Sequence, residues 1–193
     1  MTHKEDSAAI SSQDDSRTRL IKAAEAIMRE NGYAAVTSRR VAAKAGLKPQ
    51  LVHYYFRTMD ELFLEVYRRW ADHLVNRLEA VLQSGSPLRE MWKATTDARG
   101  VLLNEFIALA NHRKELQDEI AAFGNRYRQH QIKIMEAILE KNAPAHPMWT
   151  PSFAAILLNS LARSLASESE VGITEGHDEV MATVEYFMQQ FGG

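Results

Sequence analysis

The stretch Thr37-Ser-Arg-Arg-Val-Ala-Ala-Lys-Ala-Gly-Leu-Lys-Pro-Gln-Leu-Val-His-Tyr-Tyr-Phe56 is the strongest constraint on the fold of this chain, because its start, stop and restart signals lie so close together. Thr37 is a good N-cap, with a hydroxyl that can take an orphan amide of a first helical turn. Val36 and Val41 stand at the positions of a hydrophobic staple. Val41, Ala42 and Ala45 supply one apolar stripe. Gly46, free to take positive φ, is placed to end that helix, and Pro49 suits the first turn of the next. The spacing predicts two short helices and a tight turn within about twenty residues.

Ala42, Gly46 and Val52 recur at the offsets of a helix-turn-helix: a small residue where two helices touch, a glycine in the turn, and a branched apolar residue beneath the second helix. Arg39, Lys48, Gln50, His53 and Tyr54 then fall on the outer side, as a DNA-reading surface requires. A plain helical hairpin is the rival reading. Charge favours the former: Ser16 to Arg57 holds nine Lys or Arg against two acids, although the whole chain of 193 residues has a net charge of −2. A basic block on an otherwise acidic molecule implies that one end meets a polyanion.

The run Gly32-Tyr-x-x-Val-Thr37, followed by Arg39, Val41-Ala42, Ala45-Gly46, Tyr54-Tyr55-Phe56 and Glu61-Leu62, resembles the N-terminal domain of the TetR family of bacterial one-component regulators. The resemblance covers roughly residues 17 to 65. It implies that Thr37, Ser38, Arg39, Lys48, Pro49, Gln50, Leu51, His53, Tyr54 and Arg57 contact DNA. Gln50 suits a bidentate contact to adenine, and Lys48 a guanine or a phosphate. Leu51 suits a thymine methyl or the core, while Tyr55 and Phe56 are expected to pack inward. Three positions depart from the family pattern: His53 replaces a usual tyrosine, Lys48 a serine cap, and Met59 a lysine, with Arg57 as a substitute charge.

The rest of the chain is read as helical. Residues 1–15, polar and serine-rich, are expected to form a disordered tail. Residues 16–60 are expected to form the DNA-binding domain, with a first helix carrying Leu20, Ile21, Ala24, Ile27 and Met28, and 61–193 a ligand-binding and dimerisation domain. Thr58 and Glu61 form a near capping box before a long helix through Trp70 and Leu82. Three further helices follow up to Lys141, then a Pro-containing loop, a helix capped by Thr150 or Ser152, and a last helix to Phe191. The expected fold is all-α with nine to ten helices. The chain contains no cysteine and no apolar run of about 20 residues, so a soluble cytoplasmic protein with no membrane association is expected.

The resemblance further implies a homodimer on a double-stranded DNA operator, with a repressor released by a small-molecule effector of unknown identity. Phe153, Ile156, Leu157, Ser160, Leu161, Ser164, Val180, Val184 and Phe187, on the last two helices, are the expected dimer interface; the monomer core is the competing role for these stripes. Met91, Trp92, Asn104, Phe106, His112, Phe123, Tyr127, His130 and Trp149, together with Met135, are the candidate pocket residues, with plain core as their alternative. No catalytic or metal site is expected, and no cofactor: the seven histidines include no pair three or four apart, and no phosphate-cradling or nucleophile-elbow glycine motif occurs. The alternative to a regulator is a helical ligand-binding or partner-binding protein of the same fold that lacks sequence-specific DNA binding.

Overall fold

The computed structural model describes residues 2–81, 83–96, 99–142 and 149–191. Among these, nine α-helices and one 3-10 turn make up the fold. They are α1 (Thr2–Asn31), the 3-10 turn Tyr33–Ala35, α2 (Ser38–Ala45), α3 (Pro49–Tyr55), α4 (Met59–Val81), α5 (Pro87–Thr96), α6 (Arg99–Ala110), α7 (Lys114–Asn142), α8 (Pro151–Glu170) and α9 (His177–Phe191). The expected tail is corrected: the backbone from Thr2 onward is helical and continuous with the first helix. The reason is visible in the residues, since no glycine or proline interrupts the chain before Gly32 and alanines are interspersed among the polar side chains.

The chain divides into two compact units. The first comprises Met1–Trp70 together with Asn104–Glu119, and the second Ala71–Leu103 with Ile120–Gly193. The boundary expected near residue 60 therefore falls ten residues later, and a segment from the second half of the chain joins the first unit.

Capping fixes the first unit locally. The Arg40 amide donates to Thr37 Oγ1 at 3.4 Å. Past the end of α2, Gly46 takes φ 66° and ψ 35°, the left-handed conformation. Its N–H bonds to the Ala43 carbonyl at 3.1 Å, and that of Leu47 to the Ala42 carbonyl at 2.9 Å, closing both bonds of a Schellman motif. At α4 the Glu61 amide donates to Thr58 Oγ1 at 3.1 Å, while the Glu61 carboxylate reaches back to the Arg57 amide at 2.7 Å.

The core of this unit holds Leu20, Ile27, Met28, Val41, Ala42, Val52, Phe56, Leu62 and Val66, all buried. Tyr67, Trp70 and Phe106 close one end: the Tyr67 and Phe106 rings meet edge to face at 5.0 Å, and Trp70 lies 5.6 Å from Tyr67. Such rings bury about 150–250 Å² each, so the contribution of Phe106 is large. The Glu105 carboxylate accepts from the Tyr33 amide at 2.6 Å, beside Gly32 at φ 77°. Arg113 donates to Asp60 at 2.6 Å and lies over the Phe63 ring.

The second unit is an apolar assembly of α5, α8 and α9 with the parts of α4 and α7 that belong to it. Leu78, Met91, Trp92, Ile134, Met135, Ala155, Ala162 and Val184 are buried at its centre. Thr150 caps α8 by accepting from the Phe153 amide at 3.1 Å. Arg89 on α5 pairs with Glu185 on α9, and its hydrogen bond holds the Glu185 carboxyl below the usual range.

Candidate nucleic-acid interface and apolar cavity

The short helix α3 presents Gln50, His53 and Tyr54 outward at the i, i+3, i+4 spacing of one helix face, and all three are exposed. Val52 and Phe56, each 1% exposed, anchor the opposite side. Tyr55 is half-buried, with the Tyr54 ring meeting it edge to face at 5.0 Å. Leu51 is half-buried too, between the two roles open to it. Lys48 precedes α3 in extended conformation and spends no side-chain bond on capping, so its ammonium stays with the exposed face. Pro49 occupies the first turn. At the head of α2, Thr37 is occupied as the cap, Ser38 is half-buried and Arg39 is exposed.

Apart from Lys22, exposed on α1, the basic block sorts into two sets. Lys44 bonds Glu30 at 2.7 Å, Arg29 bonds Glu25 at 2.7 Å, and Arg40 donates to Asn31 at 3.0 Å. Arg17 bonds Glu65 and lies over the Phe56 ring, while Arg19 donates to the Ala45 carbonyl at 2.6 Å, satisfying the C-terminal end of α2. Arg17 and Arg19, near the start of the domain, thus join its helices to one another. Arg39, Lys48 and Arg57 form the other set: all three are exposed, and among the described residues their side chains enter no ion pair. They flank the exposed row of α3, where a polyanion would find cations not already neutralised.

Glu65 sits at the centre of a charge network joining α1, α4 and α7. Burial would raise its carboxyl pKa, but the hydrogen bonds and charges of Arg17 and Arg68 outweigh that and hold it below the ordinary range. Arg68 in turn bonds Glu119 at 3.1 Å, which raises its own pKa.

In the second unit a cavity of about 730 Å³ opens among α5, α7, α8 and α9. Its walls are apolar apart from Glu179 and Thr183. Of the expected pocket residues, Trp149 and Met135 line it. The others lie elsewhere: Phe106 is fully buried in the first unit, where Asn104 and His112 are exposed; Met91, Trp92 and Phe123 are buried; Tyr127 and His130 are half-buried. Aromatic and methionine identity marks burial, and burial alone does not separate cavity wall from core.

On α8 and α9, Phe153, Ile156, Leu157 and Phe187 are 49%, 49%, 45% and 43% exposed, a large apolar face. Ser160 and Ser164 lie exposed with them, and Leu161 and Val180 are half-buried. Val184 is packed into the monomer core, and Leu161 and Val180 pack against it. Met181 and Tyr186 also stand exposed on α9 and were not singled out from sequence; a helix that is apolar on two sides gives no periodic signal for which side is bare. No described helix is long and apolar enough to cross a membrane, and no group of three or more metal-ligating side chains occurs among the described residues.

Comparison with known proteins agrees with this geometry. Residues 20–66 match the family model described as bacterial regulatory proteins, tetR family. The HTH-type transcriptional activator FasR of Mycolicibacterium smegmatis is 28% identical over 86 residues, covering 45% of this chain and 39% of that protein. The match thus spans less than half of that relative's length. Among solved structures, a TetR transcription regulator from Haloarcula marismortui superposes with a TM-score of 0.73 at 16% identity, covering 93% of this chain and all of the other. A transcriptional regulator from Saccharomonospora viridis, crystallised with choline, gives 0.74 at 16% identity over 91% and 96% of the two chains. The ketosteroid transcriptional regulator KstR2 of Mycobacterium tuberculosis gives 0.63 at 18% identity over 92% and 95%.

Proposed function

We propose that this chain, a TetR-family transcriptional regulator with a DNA-binding helix-turn-helix, binds a palindromic operator as a homodimer, represses from it, and is released by a small-molecule effector. The observation that carries the reading is the sorting of charge in the first unit. Most basic side chains there are committed internally, and the exposed Arg39, Lys48 and Arg57 surround the face of Gln50, His53 and Tyr54. Phosphate contacts from these cations would set register and much of the affinity, and Gln50 would contribute base discrimination.

One seven-residue helix reads too few base pairs to address a genome, which favours two copies with recognition helices about 34–36 Å apart. The bare apolar face of α8 and α9 supports that pairing, since a patch of this kind on a soluble chain marks an interaction surface. The apolar cavity of the second unit supports an effector: it lies in the size range of about 300–1,000 Å³ typical of ligand sites. The choline held by the Saccharomonospora viridis regulator is consistent with small-molecule binding on this fold.

Selection from a random-duplex library at two salt concentrations tests the reading. The wild type should enrich a palindrome. Gln50→Ala should relax one position of each half-site by about 1–3 kcal/mol, whereas Arg39→Ala should weaken all sequences alike and lower the salt dependence. Salt-sensitive binding without sequence enrichment would instead favour a ligand-binding or partner-binding protein of the same fold, a reading to which the unusual His53 and Met59 lend some weight. The sign of regulation is a separate question, because the relative FasR is an activator. A reporter driven from the recovered operator decides it, with repression expected.

A further inference from the structure

Along the seam between α7 and α8 in the second unit, apolar packing gives way to polar side chains for one turn. Gln131 is 1% exposed; its amide donates to Asn159 Oδ1 at 3.3 Å, yet its own Oε1 is buried with no hydrogen-bond partner among the described residues. Arg128, one helical turn away on the same side of α7, is half-buried, and its Nη1 is likewise buried and without a partner. Arg163, on α8 four residues beyond Asn159, is close enough for its charge to act on Arg128. Tyr127 adjoins them, and burial raises its pKa first of all, keeping it a neutral phenol at ordinary pH.

Among the described residues, no carboxylate balances Arg128. The side chains whose charge bears on Arg128 are Tyr127, neutral, and Arg163, of the same sign. A guanidinium cannot escape burial by losing its proton. A half-buried cation beside a second cation and two amides is therefore an incomplete arrangement, and an anion is the group that completes it. The planar fork of arginine matches the oxygens of a carboxylate or phosphate. Next along α7 come Ile134 and Met135, both buried and apolar, and Met135 lines the apolar cavity described above, which suits hydrocarbon.

We propose that Arg128 and Arg163, with the amides of Gln131 and Asn159, bind the oxyanion head of a small organic ligand whose remainder is apolar. This rests on the reading of the second unit as the effector-binding part and narrows the effector to an amphiphilic anion.

Octanoate and octyl phosphate are the probes, with octanol and octyltrimethylammonium as neutral and cationic counterparts, measured on the full chain by thermal shift and titration calorimetry in the absence of DNA. The wild type should be stabilised by one or both anions and by neither counterpart, the better anion identifying the head group. Arg128→Met should weaken anion binding at least about tenfold, and its ligand-free melting temperature should equal or exceed that of the wild type, because an unbalanced cation has been removed. Arg163→Met, at an exposed position where folding is not at risk, should weaken binding about threefold or more. The proposal fails if octanol stabilises as well as the anions, if neither anion binds, or if Arg128→Met binds them unchanged. It also fails if the arginine variants dissociate the dimer and leave anion binding intact, since the missing carboxylate would then come from a second copy. Anion binding that leaves operator affinity unaltered keeps the site and removes the effector role. A recovered palindrome with no anion binding does the reverse.

Discussion

The two units of this molecule treat charge in opposite ways. In the first, nearly every buried or half-buried ion has its counterpart at hand: Glu65 with Arg17 and Arg68, Glu119 with Arg68, Asp60 with Arg113, and Glu105 with the Tyr33 amide. Arg39, Lys48 and Arg57, which enter no ion pair among the described residues, stand exposed beside α3 and at the head of α2. In the second unit, among the described residues, the balance is incomplete inside, at Arg128 and Gln131, and apolar side chains stand exposed outside, on α8 and α9. The contrast separates what each unit completes by itself from what it leaves for a partner. The first unit satisfies its interior and offers charge outward; the other leaves both an interior and an exterior requirement open.

The sharpest way to break this contrast is to open the first unit's core. Phe106→Ala removes a fully buried ring from the Tyr67 and Trp70 cluster and should cost about 3–5 kcal/mol, read from urea unfolding followed by tryptophan fluorescence. A loss below about 1 kcal/mol would mean that residues 104–119 are not integral to that unit. Gly46→Ala comes next. A Cβ at φ 66° is strained, and Arg19 Nη2 lies 3.3 Å from where it would stand, so about 1–2 kcal/mol should be lost together with most specific DNA binding. Unchanged binding would show that the turn tolerates another shape.

Glu65→Gln probes the charge network. Because the folded-state pKa of Glu65 is depressed, its contribution is present above the ordinary carboxyl pKa and disappears as pH falls through the lower folded value. The wild type should therefore exceed the variant by about 0.5–1 kcal/mol at pH 7, discounted for partial exposure, and the gap should close in acid. A gap independent of pH would point to packing. The smallest effect on the single chain is expected from Phe153→Ser on the exposed face: stability of the dissociated chain within about 0.5 kcal/mol of wild type, but a lower dimer population in sedimentation measured across a dilution series.

How far the sequence revealed this depends on whether a signal is local. Thr37, Gly46, Pro49, Thr58 and Thr150 act on neighbours within a turn, and each performs the role its identity suggests. The outward row of α3 follows from helical spacing for the same reason. Other features depend on distant partners and leave no such trace. Arg17 and Arg19 read as free charge until Glu65 and the Ala45 carbonyl are brought to them. Phe106 reads as an apolar residue of a helix, α6, whose apolar residues favour no one side, so periodicity cannot say which neighbour it faces. Tyr127 and His130 looked like pocket groups by type, whereas the incomplete polar cluster turns on Arg128 and Gln131, which in sequence resemble any solvated positions of a long helix.

The participation of residues 104–119 in the first unit has a consequence for how the molecule is made. A ribosome that has delivered Phe56 and Trp70 has not yet delivered Phe106 or Arg113, and at about 5–20 residues per second the missing strip arrives roughly 2–10 s later. During that interval the nascent head exposes the surface that Phe106 will cover. Its folding on the ribosome is therefore timed by a later part of the message, and excising residues 1–70 as a minimal fragment would make that unfinished state permanent.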